Sequence, residues 1–501
     1  MADETTDRAN REQMVLVARY VDKEGDDLVV REDPIALLDV LKTLRKSGSG
    51  SETEVKMSGA NLTQVLTERV RKLGLDFSKL VGQCYDGAPS MASEKVGVAA
   101  GVKSEAPLSH YFHCAVHAVN LSTSLIRKVP FVRNALDNME TIITFVTDGA
   151  KREDILSSQK LDSSKRHKLV KLCQTRFVER HVAVERFCEQ LSAIVLALRT
   201  ISTWDESRSS SKAAMFLHTI SMTEFLVGVF VAEKLAGILR PLALALQEKG
   251  ADLVKALDLI NAVRTALHQL RSESEEEFAP VMAGVKAAAE EMGVEVAKPR
   301  LVDRSSYRAN AGGSEASIDG YYRLNAFIPA LDRVLQDVDL RFGKHMQLVA
   351  DLSTLVPKRI ATVGADWKRL QPSCQLYQEL IGDITQSQVQ AELSVWAAMW
   401  KDREDAPVTA IAALNACPAS VFPGLHTLLR VLAVLPVSTA EAERMFSKVA
   451  RTLTALRATM TEDRLESLVL IQAHRDQLPD IAEIVDRFAS EGARRLNFKI
   501  H

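Results

Sequence analysis

The spacing of apolar residues along this chain changes period, and that change limits the architectures open to it. In residues 13–21 (QMVLVARYV) and 28–31 (LVVR), valine-rich runs flank a polar stretch, residues 22–27, that contains Gly25. This predicts a β-hairpin with a longer turn. Residues 80–85 (LVGQCY) read as a short strand running into an Asp86-Gly87 turn, and residues 167–177 (HKLVKLCQTRF) as another strand. Helical spacing appears over residues 34–44, over 61–73 with Gly74 at the stop position, and from 115 to 146. Beyond Val178 only helical periodicity is strong, over 182–202, 213–247, 251–273, 278–292 and 321–349 and again towards Trp400. A mixed α/β layer interrupted by an all-α insertion fits this order better than two tandem domains. Residues 302–320, rich in Ser, Gly and Asn, are expected to form a flexible surface loop.

Composition then excludes several classes. A length of 501 residues with 47% apolar side chains supports more than one core. Lys plus Arg number 63 against 65 Asp plus Glu, so no global basic field draws the chain to nucleic acid and phosphate binding would have to be local. Six scattered cysteines without a C-x-x-C frame argue against both a disulfide scaffold and a zinc finger. The polar, acidic opening MADETTDRANREQ is unlike a secretory signal, and the longest apolar candidate, residues 225–239, is broken by Glu233 and Lys234. A soluble intracellular chain without a membrane span is the expectation.

The stretch 436–447, PVSTAEAERMFS, carries two glutamates close together. Ser438 and Glu441 match a capping box, which gives Glu441 a structural task. Ala442, Met445, Phe446 and Val449 form an apolar stripe, and Glu443 lies on a different flank, where it is either a solvated surface residue or a group projecting into a cleft. Asp86 ends a buried-looking strand, as a plain Asp-Gly turn or as a carboxylate at a sheet's C-terminal edge. Asp3 precedes the hairpin and reads as a frayed terminus or as the end of a strand. Cys114-x-x-His117 has the spacing of half a zinc site, without a strong second pair, so no structural zinc is expected. In residues 461–474, Thr461, Glu462 and Asp463 open a helix whose apolar surface wraps widely enough to need burial on more than one side, within the monomer or against a partner.

Residues 82–98 (GQCYDGAPSMASEKVGV), 113–122 (HCAVHAVNLS), 175–187 (TRFVERHVAVERF) and 438–447 (STAEAERMFS), with 456–476 (LRATMTEDRLESLVLIQAHRD), together resemble the hAT superfamily of DNA transposases. The opening MADETTDRANREQMVLVARYVD resembles the start of that family's catalytic domain. The likeness runs to the animal branch that includes transposase-derived zinc-finger MYM-type and THAP-type repressors, in the family's order and over nearly the whole chain.

The resemblance implies a ribonuclease-H-like core over residues 1–178, a helical insertion over 179–420 and a dimerisation region over 421–501 that completes the core. It places an acidic triad on Asp3, Asp86 and Glu443, three carboxylates able to hold Mg²⁺ or Mn²⁺ for in-line phosphodiester displacement. Cys114 and His117 become residues near the site, and Arg176 and Phe177 become DNA contacts. Phe177 stands where the family has tryptophan, with less surface for stacking on a base. The chain begins almost at Asp3, so most of the first core strand is expected to be missing, along with the N-terminal zinc-binding DNA-recognition module. The family implies a transposase-like protein that is nuclear, otherwise cytoplasmic, and a homodimer or higher homo-oligomer, and those departures leave its nuclease site idle and its DNA binding weak. An active Mg-dependent nuclease and a non-catalytic helical scaffold are the alternatives, separated by strand-cleavage assays and by whether the three carboxylates converge.

Overall fold

The computed structural model describes the chain apart from residues 47–55, 160–167, 172–176, 300–316, 344–345, 455–456, 458 and 491–501. The chain is mainly helical with small sheets. It divides into two compact units, Met1–Tyr111 together with Val434–His501, and Phe112–Ala433.

The first unit is built on an antiparallel meander of β1 (Ala2–Thr6), β2 (Glu12–Glu24) and β3 (Asp27–Asp39), in that spatial order. Asp7 holds the first turn, its Oδ1 accepting from the amides of Ala9 and Arg11 at 2.7 and 3.0 Å. The second turn is shorter than expected. Glu24 pairs with Asp27, leaving only Gly25 and Asp26 between the strands, and Gly25 takes the φ of +64° that such a tight reversal needs. Residues 34–44 also depart from the helical reading, because β3 runs on to Asp39 and helix covers only Val40–Lys46. That stretch is so continuously apolar that it fits either period, and Pro34 is tolerated beside a register shift at Leu16/Val17. A second, two-stranded sheet pairs β4 (Gly82–Tyr85) with β5 (His110–His113).

Strand alternation gives each face of the meander its own core. Met14, Leu16, Ala36 and Leu38 pack with Leu62, Val65 and Leu66 of the helix Gly59–Lys72 and with Val98 and Val102 of the helix Val98–Glu105. Val15, Val17 and Leu37 pack on the other side with Ala442, Met445 and Val449 of the helix Ala440–Thr452 and with Leu465 and Val469 of the helix Glu462–Ala473. Each such aliphatic side chain contributes about 1.5–3 kcal/mol on full burial, so the two ends of the polypeptide are tied together by several side chains of that size. The outer edge of β3 is closed by the same C-terminal helix. The amides of Leu37 and Asp39 donate to Glu466 Oε1 at 3.1 Å and Glu462 Oε1 at 2.9 Å. Carboxylates one helical turn apart, roughly 6 Å, match alternate strand amides roughly 7 Å apart.

The second unit is helical beyond the end of β5. The helices Ala115–Leu125 and Pro130–Thr147 belong here, packed with the long helix Thr223–Leu246, so the first division falls after residue 111 where the sequence suggested 178. The second falls after 433 where the sequence suggested 420. At Gly228 the helices Pro130–Thr147 and Thr223–Leu246 approach so closely that a Cβ would lie 2.5 Å from that of Ala135 and 2.6 Å from the Phe131 carbonyl oxygen. Buried Asp337 accepts from Ser122 Oγ at 2.6 Å and from Arg341 Nε at 2.7 Å. Fully buried Trp396 donates to the Leu355 carbonyl at 3.0 Å. Of the strand expected over residues 167–177, 168–171 have no regular structure, 172–176 lie outside the described residues, and Phe177 opens the helix Phe177–Glu189. The loop expected over 302–320 also lies mostly outside them, and Ile318–Tyr322 is helical. Among the described residues no single helix is long and apolar enough to cross a membrane.

Candidate acidic site

Asp3 occupies the second position of β1, opposite Val15. Period two sends Ala2 into the core shared with Met14 and Leu16, so Asp3 turns to the face of Val15 and Leu37. That is the face covered by the helix Ala440–Thr452, on which Glu443 sits in the first turn beside buried Ala442. The register of a strand at one end of the chain and the phase of a helix at the other thus meet at one point. Carboxylate oxygens of Asp3 and Glu443 lie within 4.8 Å of each other. Asp3 is only 8% exposed and its Oδ1 accepts from the Glu4 amide at 3.1 Å, while Glu443 is half-buried.

Asp86 follows β4 directly, at the strand's C-terminal edge. Its Oδ1 accepts from the Ala88 amide at 3.2 Å and its carbonyl accepts from Tyr111 Oη at 3.1 Å, beneath a Tyr85–Tyr111 stack with centroids 6.1 Å apart. Asp86 is not part of the close grouping that Asp3 and Glu443 make. Its electrostatic neighbour is Glu4, on the opposite face of β1. Burial, then the charges of Asp86 and Glu12, push the Glu4 carboxyl up to about 7. Glu4 escaped the sequence reading because adjacent acidic residues separate onto two faces only once the stretch is known to be a strand.

The helix that carries Glu443 starts one residue later than a Ser438 capping box would place it, at Ala440 with Thr439 in the cap position. Ser438 Oγ accepts from the Ala440 amide at 3.4 Å, and Glu441 turns away to pair with Arg444 Nε at 2.6 Å. The predicted Ser438/Glu441 box is therefore replaced by a Glu441–Arg444 ion pair one turn long, because Glu441 sits at the second helical position and not the third. Cys114 is buried at the start of the helix Ala115–Leu125, and His117 lies in that helix's first turn, both in the second unit. Arg176 lies outside the described residues.

A cavity of about 670 Å³ also opens in the first unit, lined among others by Met1, Leu16, Tyr20, Leu66, Phe77 and Pro436.

Within the first unit a small sheet closed by C-terminal helices thus carries the paired carboxylates of Asp3 and Glu443. Residues 1–97 match the family described as "ZMYM1/FAM200, RNase-like domain", and residues 407–474 match the "hAT family C-terminal dimerisation region". The chain is 24% identical, over 97% of its length, to the human protein named "52 kDa repressor of the inhibitor of the protein kinase", and 24% identical over the same share to the mouse protein of that name. It spans 63% of the length of those relatives. The two ends of the chain are thus similar to an RNase-like domain and to the dimerisation region of the hAT family.

Proposed function

We propose that this chain acts as a self-associating, nuclear, transposase-derived protein with a ribonuclease-H-like core, in which Asp3 and Glu443 retain a divalent-cation position while DNA cutting is idle. The carrying observation is the proximity of those two carboxylates. Oxygens within 4.8 Å of each other can both approach one ion at about 2.1–2.4 Å with little adjustment, so the residues fit Mg²⁺ or Mn²⁺. Such an ion supplies charge neutralisation and an activated water for phosphodiester displacement. The register of β1 fixes Asp3, and packing of Ala442 and Met445 on Val15 and Leu37 holds Glu443 towards it. Two-ion displacement needs a further carboxylate to hold the second cation, and Asp86 is outside the grouping within 4.8 Å, which is why the idle reading is preferred. Self-association rests on the matched dimerisation region, and nuclear residence on the relatives' printed description as repressors. With a formal net charge of -2, any DNA contact is local and weak.

Calorimetric titration with Mn²⁺ tests the site. One ion bound by the wild type and lost in both Asp3→Asn and Glu443→Gln is the expected result, with no strand cleavage on duplex DNA in Mg²⁺ or Mn²⁺. Cleavage abolished by Asp86→Asn and Glu443→Gln would overturn the idle reading in favour of an active nuclease, and Mn²⁺ binding indifferent to all three residues would leave a non-catalytic scaffold.

A further inference from the structure

The cavity of about 670 Å³ in the first unit is lined by neither Asp3 nor Glu443. Strands of both sheets line it, residues 16–20 of β2 and Gly82, Gln83 and Tyr85 of β4. Leu66 and Val70 of the helix Gly59–Lys72 and Val102 of the helix Val98–Glu105 add aliphatic surface. Pockets that hold small molecules run from about 300 to 1,000 Å³, so this space is large enough for one. Walls that are mostly aliphatic give water few partners, and an apolar molecule fills such a space better than solvent does.

The polar groups on the lining decide the charge of the occupant. Arg19 meets Glu32 at 2.6 Å, with both side chains less than a tenth exposed. Asp33 Oδ2 accepts from Tyr20 Oη at 2.6 Å and from Arg31 Nε at 3.0 Å, and His474 Nε2 lies 2.7 Å from the Pro34 carbonyl oxygen. These groups are already matched, so an ion taken in beside them would lose its water without gaining a counter-charge. The other charged side chains on the lining, Asp76 and Lys79, are exposed and opposite in sign. Gln83 differs from all of these. It is 3% exposed, and its Nε2 donates at 3.1 Å to both the Ala99 carbonyl and Ser109 Oγ. That fixes the amide and leaves Oε1 buried with no hydrogen-bond partner among the described residues. An occupant with a hydroxyl or N–H supplies the donor that this oxygen lacks.

We propose that this cavity is a binding site for an uncharged, mainly apolar small molecule that carries a hydroxyl or N–H donor. Calorimetric titration of the full chain at neutral pH with 2-naphthol, 2-methylnaphthalene and 2-naphthoate tests it. The first two probes are uncharged and nearly the same shape, differing by a hydroxyl for a methyl, and the third is an anion. One 2-naphthol per chain is expected, with 2-methylnaphthalene weaker by about two- to tenfold, the range for one hydrogen bond. The anion should bind at least about tenfold more weakly than 2-naphthol, because it must be stripped of water in a space without a free cation. Ala18→Trp and Val70→Phe, at partly buried positions on the lining, fill the space from two sides. Each should keep its circular dichroism and weaken 2-naphthol by about tenfold or more. A wild type that does not bind 2-naphthol, or binding unchanged in both filled variants, would overturn the site. Tightest binding of 2-naphthoate would overturn the uncharged class, and equal binding of the two neutral probes would overturn the donor.

Discussion

Replacing Glu4 with glutamine should stabilise the first unit, increasingly so as pH rises from about 4.5 to about 7. The Glu4 carboxyl, ordinarily near 4.5, is pushed up to about 7 in the folded protein, first by burial and then by the charges of Asp86 and Glu12. Its Oε1 is buried without a hydrogen-bond partner among the described residues. Because the folded-state pKa exceeds the unfolded one, the protonated form is the one the fold favours. Below pH 4.5 the residue is neutral in both states and has no effect; stability then falls as pH rises, and the loss is complete above about 7. At ~1.4 kcal/mol per pH unit, the difference between 4.5 and 7 corresponds to about 3 kcal/mol. Glutamine has the same shape and no charge. Calorimetric melts of wild type and Glu4→Gln in chelator-containing buffer should therefore nearly coincide at pH 4.5 and separate by several degrees at pH 8.5, with the variant higher. A difference that is the same at both values, or a variant less stable at pH 8.5, would refute the assignment of a buried, charge-repelled carboxyl.

Two other substitutions probe the supports of each unit. Glu466→Ala removes the acceptor for the Leu37 amide and the partner of Arg69, so denaturant unfolding should show a loss of about 1–3 kcal/mol and the Leu37 amide should exchange faster. Gly228→Ala forces a Cβ against Ala135 and the Phe131 carbonyl, and should destabilise the second unit by about 1–3 kcal/mol in a melt followed by the fluorescence of Trp204, Trp367, Trp396 and Trp400, which all lie in that unit.

Long-period features were the legible part of the sequence. Beyond residue 182 the chain is helical where the apolar spacing said, with 182–202 and 213–247 each broken into two helices, and the hairpin of β2 and β3 was visible as two valine-rich runs. Short strands were not. β1 has five residues and β5 four, too few for a period to declare itself, and β5 ends in histidines that a strand propensity scale ignores. Residues 34–39 misled because aliphatic residues at nearly every position satisfy a helix and a doubly covered strand equally well. Candidate ligands Asp3 and Glu443 came from resemblance, since nothing local relates positions 440 residues apart. The capping register of Glu441 failed on a shift of one residue, the usual margin for a helix start.

The interlocking of the chain's two ends has a consequence for its biosynthesis. Residues 112–433 are made between the two halves of the first unit, and at about 5–20 residues per second that interval lasts on the order of half a minute. Throughout it, Val15, Val17, Leu37 and the outer amides of β3 exist without the segment that will cover them. A ribosome stalled or a message cut before the codon for Glu466 would release a sticky, half-clad sheet, so that quality control of this protein turns on the arrival of the helices Ala440–Thr452 and Glu462–Ala473.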